Sequence, residues 1–382
     1  MGLAAALGLG AFFLLVTGSL CGLSLTLVER RRIVPEVTLP LFSLAAIGTG
    51  LGLPLAWHAI AGLRGRPSRR FALSAVAGAA LVLMYVLAVA GGQAMVSLKL
   101  APTLTLPWFH VVALALPPVL LLWAAAALAQ AQFSWRQMVG GLGGGAFAAA
   151  GLAFAVELIL VIVGVVIAAI VIGASPDGSE ILRRLQTAPG SLNDPALLRS
   201  FLRKPSTIIT LFISLGVIVP LIEEPIKSIL PALAGTWQPL TPARGFLWGV
   251  ATGAGFAVLE GLLNGGLDAR EWGTVALLRV GSTAMHCFAT GLIGWGWGQV
   301  WARRKWPRLV LAYVVSVTLH GTWNSISVGM AVVAEAVDQP AIQNALVAVS
   351  AILLILLTLA TITALMWLAR GLASKGPQPA GE

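Results

Sequence analysis

Apolar residues in this chain come in long runs rather than in the alternating or one-faced patterns of a soluble protein. The runs cover roughly 3–28, 37–62, 71–96, 108–130, 138–174, 206–231, 245–267, 273–300, 308–334 and 344–370. About 20 apolar residues in a helix are enough to cross the hydrocarbon of a bilayer. Backbone N–H and C=O groups find no water there, so an apolar run of this length must satisfy them within a helix. The pattern therefore predicts an all-α, polytopic transmembrane helical bundle of about ten spans. Met1–Val28 has no basic start and reads as a first span rather than a cleavable signal.

Two stretches interrupt this regularity. The fifth run, 138–174, exceeds what one untilted span needs, and it opens on Gly140, Gly141, Gly143, Gly144 and Gly145. A long helix with an interfacial extension and a broken or re-entrant segment are both open, with the glycines read as small faces for close helix packing. The polar stretch 175–206 carries two helix-start signals, Ser179 before Glu180 and Asp194 before Pro195. Leucines on one side and arginines on the other suggest short helices lying on the bilayer. The stretch divides the chain into an N-terminal transmembrane half (1–174), the linker (175–206), a C-terminal half that holds the unusual polar residues (207–370) and a polar tail (371–382). The halves show no internal repeat.

Charge sharpens this picture. Charged residues make up only 10% of the chain, and the 24 Lys and Arg exceed the 14 Asp and Glu to give +10. Much of the excess sits in connections, at Arg30–Arg32 and Arg303–Lys305, as cytoplasmic loops and anionic headgroups favour. No basic stripe interleaved with aromatics exists on a soluble module, so nucleic acid is not an expected partner. The expected surroundings are the lipid bilayer of a plasma membrane, crossed as a multi-pass protein. Ten spans with both termini inside satisfy Arg64–Arg70, Arg303–Arg308 and the tail, but leave Arg30–Arg32 outside. Cys21 and Cys287 both lie in apolar runs and form no metal-binding or disulfide pattern.

Against this background a few ionisable residues stand out. Glu223 and Glu224 lie side by side in the sixth run, with Lys227 one turn on. A single acid at the centre of a membrane helix costs about 2.5–3.5 kcal/mol on the mildest scale. Glu260 follows in the seventh run, four residues after Phe256; His286 is in the eighth, and His320 and Asn324 in the ninth. Residues four apart share a helix face, so Glu223 with Lys227, Phe256 with Glu260, and His320 with Asn324 form three stacked pairs. Each has a bland reading: an ion pair, a packing histidine, an amide tying two helices. Together, in four consecutive spans, they point to one intramembrane site that activates water. Carboxylates and imidazoles bind metals or take protons, and an amide donates to a developing oxyanion. No HExxH or GxSxG pattern is present.

The motifs have a family likeness. Glu223-Glu224-Pro-Ile-Lys227 resembles the EExxK motif of the PrsW family of intramembrane proteases, and Phe256-Ala-Val-Leu-Glu260 is similar to its FxxxE motif. His286 and His320-Gly-Thr-Trp-Asn324 look like its later histidine motifs. More distantly, the order resembles the CAAX prenyl endopeptidase superfamily, from which Glu260 in place of a histidine departs. The resemblance covers about Ile208–Gly329 and implies a peptide hydrolase, a metalloprotease or a glutamate protease, that cuts membrane-anchored proteins such as anti-sigma factors. By position it makes Glu223, Glu224 and His320 the catalytic centre with Glu260 and His286 close by; Lys227 tunes or orients the carboxylates and Asn324 positions His320 or the oxyanion.

Two mechanisms fit the residues. In one, His286, His320 and a carboxylate (Glu223 or Glu260) bind Zn²⁺ and another glutamate acts as base. In the other, Glu223 or Glu224 activates water with His320 and no metal. The same cluster would also suit a proton- or cation-coupled transporter, and a non-catalytic membrane binding protein is a third reading.

Overall fold

The computed structural model describes residues 1–28, 33–173, 199–200, 202–264 and 271–373. Ten helices long and apolar enough to cross a membrane are present among them. They are α1 (Gly2–Val28), α2 (Pro35–Leu63), α3 (Ala75–Ser97), α4 (Pro102–Ala129), α5 (135–173), α6 (Pro205–Trp237), α7 (Pro242–Asn264), α8 (Trp272–Arg303), α9 (Trp306–Ala336) and α10 (Pro340–Ala373). The all-α bundle read from the apolar runs is what forms. The expected interfacial helices of 175–206 and the basic run Arg30–Arg32 fall almost wholly outside the described residues.

The long fifth run is one continuous helical path. A capping box starts α5, with the Ser134 hydroxyl accepting from the Gln137 backbone and the Gln137 side chain accepting from the Ser134 backbone. A π-helical segment, Gly144–Ala149, interrupts it without breaking it. The glycines act as the small-face reading expects. A Cβ on Gly145 would lie 2.0 Å from the Thr252 carbonyl oxygen, and one on Gly141 2.4 Å from the Ala251 Cβ. Their absence lets α5 press directly onto α7.

α7 and α8 form the centre. In α7, 83% of the best apolar window is buried inside the protein, and in α8 67%, against 6% for α1. Apolar residues gain little by leaving lipid for other apolar residues, so packing at this centre depends on close backbone approach. Small residues supply it. A Cβ on Gly249 would meet the Thr290 carbonyl oxygen at 2.2 Å, and one on Gly253 the His286 carbonyl oxygen at 2.3 Å. Gly249 and Gly253, four residues apart, thus serve packing within the chain, and Gly253 seats the backbone of His286.

The N-terminal helices buttress this centre. His110 of α4 is fully buried; the Trp272 indole donates to its Nδ1 at 2.9 Å, and its Nε2 faces the Leu262 carbonyl oxygen at 3.1 Å. An indole N–H only donates, so Nδ1 accepts and Nε2–H donates to Leu262. The bond pair ties the end of α7 and the start of α8 to the N-terminal half.

Gly253→Ala is expected to lower stability by about 1–3 kcal/mol through overpacking against α8. Gly164→Ala, where a Cβ meets nothing within 4 Å, should be close to neutral. Thermal unfolding of the purified proteins in detergent checks both.

Candidate active site

The glutamate pair lies on α6, whose backbone is unusual. It passes through a π-helical segment, Ser214–Ile218, and then carries Pro220, Pro225 and Pro231. A π segment and a proline each leave a helix carbonyl without its usual N–H partner. Neighbouring side chains supply replacements from α9. The Asn324 amide donates to the Leu215 carbonyl at 2.9 Å, and the Tyr313 hydroxyl to that of Leu221 at 3.3 Å. The Asn324 amide is therefore engaged with the α6 backbone, one turn beyond His320 on α9.

Lys227 is at the centre of the polar group and is fully buried. Its Nζ lies 3.1 Å from Glu223 Oε2, 2.6 Å from Glu224 Oε1 and 3.0 Å from His286 Nδ1. Being three and four residues beyond the two glutamates, one long side chain reaches both, although the acids themselves are about 100° apart around the helix. Its ammonium also stands 4.5 Å over the Phe256 ring, which packs on the His286 ring at 5.2 Å. Phe256 thus forms an apolar wall of the site.

The bonds assign the imidazoles. An ammonium has no lone pair, so His286 Nδ1 accepts from Lys227, and its Nε2–H donates to Glu260 Oε2 at 2.7 Å. His320 Nδ1 is 2.8 Å from Glu224 Oε1, and the carboxylate accepts from it. That leaves His320 Nε2 free, 3.8 Å from Glu223 Oε2. The two rings stand edge to face, with centroids 5.0 Å apart.

All six ionisable or imidazole-bearing residues expected in the site, Glu223, Glu224, Lys227, Glu260, His286 and His320, are brought into one connected network. Its inner group differs from the expected metal set. Ligand atoms of Glu223, Glu224, His286 and His320 all lie within 4.8 Å of one another. Glu224 takes the place expected for Glu260, whose carboxylate is held by His286 and by Arg279 Nη1 at 2.9 Å. Arg279 is one residue that the sequence reading passed over. It lies seven positions before His286 on α8, two helical turns away on the same face, and that spacing was its available signal. Glu157 of α5 is another: its carboxyl reaches Glu223 from the N-terminal half.

The donors suit a metal ion. Two imidazole nitrogens and two carboxylates form a normal set for a divalent transition metal. Glu260 behind His286 is the carboxylate–histidine arrangement that orients such ligands. Glu224 Oε2 is buried with no hydrogen-bond partner, which leaves a lone pair for a cation. Lys227 draws on three of the same four residues, so a metal at this point requires its ammonium to release His286 Nδ1.

The description of the PrsW family of intramembrane metalloproteases matches residues 158–360, more than half of the chain. The chain belongs to the PrsW family. The matched stretch contains α6 to α9 and so the whole inner group, and the membrane-protease reading of the motifs agrees with it. Neither the curated proteins nor the solved structures compared with the chain include a match.

Removing Lys227 strands two buried carboxylates. Lys227→Met is expected to cost about 3–5 kcal/mol, and added Zn²⁺ should recover part of that loss by neutralising them. Thermal unfolding with and without Zn²⁺ reads both effects.

Proposed function

We propose that this PrsW-family protein hydrolyses peptide bonds of membrane-anchored proteins within or at the edge of the bilayer. The substrates in view are single-span proteins of the anti-sigma-factor kind, and water is activated between Glu223 and His320. The observation that carries the reading is His320 Nε2, which has no hydrogen-bond partner of its own, facing Glu223 Oε2 at 3.8 Å, with the two side chains only 3% and 10% exposed. A water hydrogen-bonded to both groups would stand at the apex of a short triangle with them.

The other polar residues have supporting roles. Glu224 accepts from both His320 and Lys227, which holds the His320 ring with Nε2 pointing inward. Glu223 is held less tightly and its side chain is slightly open, 10% exposed against 0% for Glu224. That makes Glu223 the better acceptor of a proton from water and donor of one to the leaving amine. Lys227 keeps the two carboxyls together in a medium where like charges repel strongly. Glu260, 29% exposed at its side chain, and Arg279 lie on the more open side of the network. We assign substrate approach to that side.

We further propose zinc as the cofactor. His286, His320 and the Glu223–Glu224 pair would hold it, and when bound it would act as a Lewis acid toward the scissile carbonyl and make water a stronger nucleophile. Family membership and the donor set support a metal; the choice of zinc rests on the nitrogen and oxygen donors.

Reconstituted with a single-span reporter protein, the wild-type chain should cleave it, and Glu223→Ala or His320→Ala should lower the rate at least 10²-fold, on the order of a lost general base. Cleavage that survives both substitutions sinks the proposal, and proton or cation flux into the same vesicles would favour transport. Chelation should remove activity and Zn²⁺ restore it, whereas full activity in metal-free protein eliminates the zinc part alone.

A further inference from the structure

We infer that Arg279 is a substrate-binding residue, whose unused N–H donors receive main-chain carbonyl oxygens of the extended segment that is cut. The inference rests on the hydrolytic reading above and deepens it, because it names the feature of the substrate that the site holds.

A count of donors leads to it. A transmembrane helix satisfies its own carbonyls, but a stretch unwound for cleavage does not, and an unpartnered carbonyl in apolar surroundings is costly. A protease acting there must offer donors in return. The centre of the network has none to spare among its charged and imidazole groups. Lys227 directs its three N–H groups at Glu223, Glu224 and His286. The Nε2–H of His286 goes to Glu260, and the Nδ1–H of His320 to Glu224. Ionised glutamates only accept. Arg279 differs. A guanidinium carries five N–H donors, and only one, on Nη1, has a partner among the described residues, Glu260 Oε1 at 2.9 Å.

Position supports the same role. The side chains of Arg279 and Glu260 are 20% and 29% exposed, whereas those of Glu223, Glu224, Lys227, His286 and His320 are 10% exposed or less. Arg279 is seven residues from the start of α8 and Glu260 four from the end of α7. At 1.5 Å per residue both lie within about 10 Å of one end of the bundle. The helix that presents the guanidinium is firmly seated. Two residues on, a Cβ on Gly281 would lie 2.1 Å from the Trp323 ring of α9, so the α8 backbone presses against that ring. Charge then selects the ligand. Glu260 already balances the guanidinium, so an acidic side chain gains little, while a neutral carbonyl still receives a charge-assisted hydrogen bond.

The test reads binding rather than turnover. A fluorescently labelled single-span reporter protein is titrated into the full-length Glu223→Ala chain in lipid nanodiscs, where Lys227 keeps Glu224 as a partner and cleavage is expected to stop. Adding Arg279→Ala should weaken binding about 10–100-fold, the range for hydrogen bonds to a charged group. Adding Glu260→Ala instead leaves the guanidinium with all five donors, and the reporter should bind at least as tightly as to the parent. Arg279→Ala combined with Glu260→Ala strands no carboxylate and should be as weak as Arg279→Ala; thermal unfolding checks that each chain is folded. Unchanged binding in Arg279→Ala overturns the inference. So does an equal loss in Glu260→Ala, which would mean that Arg279 acts only through its partner. Cleavage by the wild type with binding that ignores Arg279 ends this inference alone. Arg279-dependent binding to a wild-type chain that never cleaves ends the hydrolytic proposal and leaves Arg279 as the binding residue.

Discussion

The structure depends on one constraint: an ammonium and several carboxylates are buried away from bulk water. An isolated ion in such surroundings costs several kcal/mol, so each must be matched by a partner at hydrogen-bonding distance. Lys227 meets this constraint for both neighbouring glutamates and for one imidazole. Its side chain begins on the same helix as the acids, but its third partner is on α8. The pairing therefore fixes the distance between α6 and α8 as well as neutralising charge. Glu260 and Arg279 extend the same alternation of sign towards the rim.

Such short distances between polar groups require helices that approach closely. Glycines at the α7–α8 and α5–α7 crossings remove the side chains that would hold the backbones apart. On α6 the opposite device operates: prolines and a π segment loosen the backbone, and Asn324 and Tyr313 of α9 take up the freed carbonyls. These bonds dock α9 against α6, and the docking brings His320 to Glu224. The chemical site and its mechanical support thus share the same pair of helices, α6 and α9, through different side chains.

The N-terminal half has a part in this arrangement. His110 and Trp272 lock the ends of α7 and α8, next to the segments that bear Glu260 and Arg279, and α5 lays its alanine stripe against Phe256. The residues of the polar network lie on four helices of the C-terminal half, yet their geometry is enforced from both halves. A family likeness confined to the motif-bearing helices describes the chemistry and leaves out part of the scaffold that aims it.

By itself the sequence determined the class of fold, because long apolar runs in a bilayer have only one way to satisfy their backbone. It also marked Glu223, Glu224, Lys227, Glu260, His286 and His320, because charge and imidazole are too costly in apolar surroundings to be incidental. Spacing alone showed that Lys227 shares a helix face with Glu223. Tertiary structure decided the partners. It turned Asn324 to an α6 carbonyl, set Glu260 behind His286 instead of beside His320, and brought in Arg279 and Glu157 from stretches that looked ordinary. Helical spacing specifies which residues share a face within one helix. Which faces meet is set by the crossing of helices distant in sequence, and that depends on small residues and freed carbonyls whose partners no local pattern reveals.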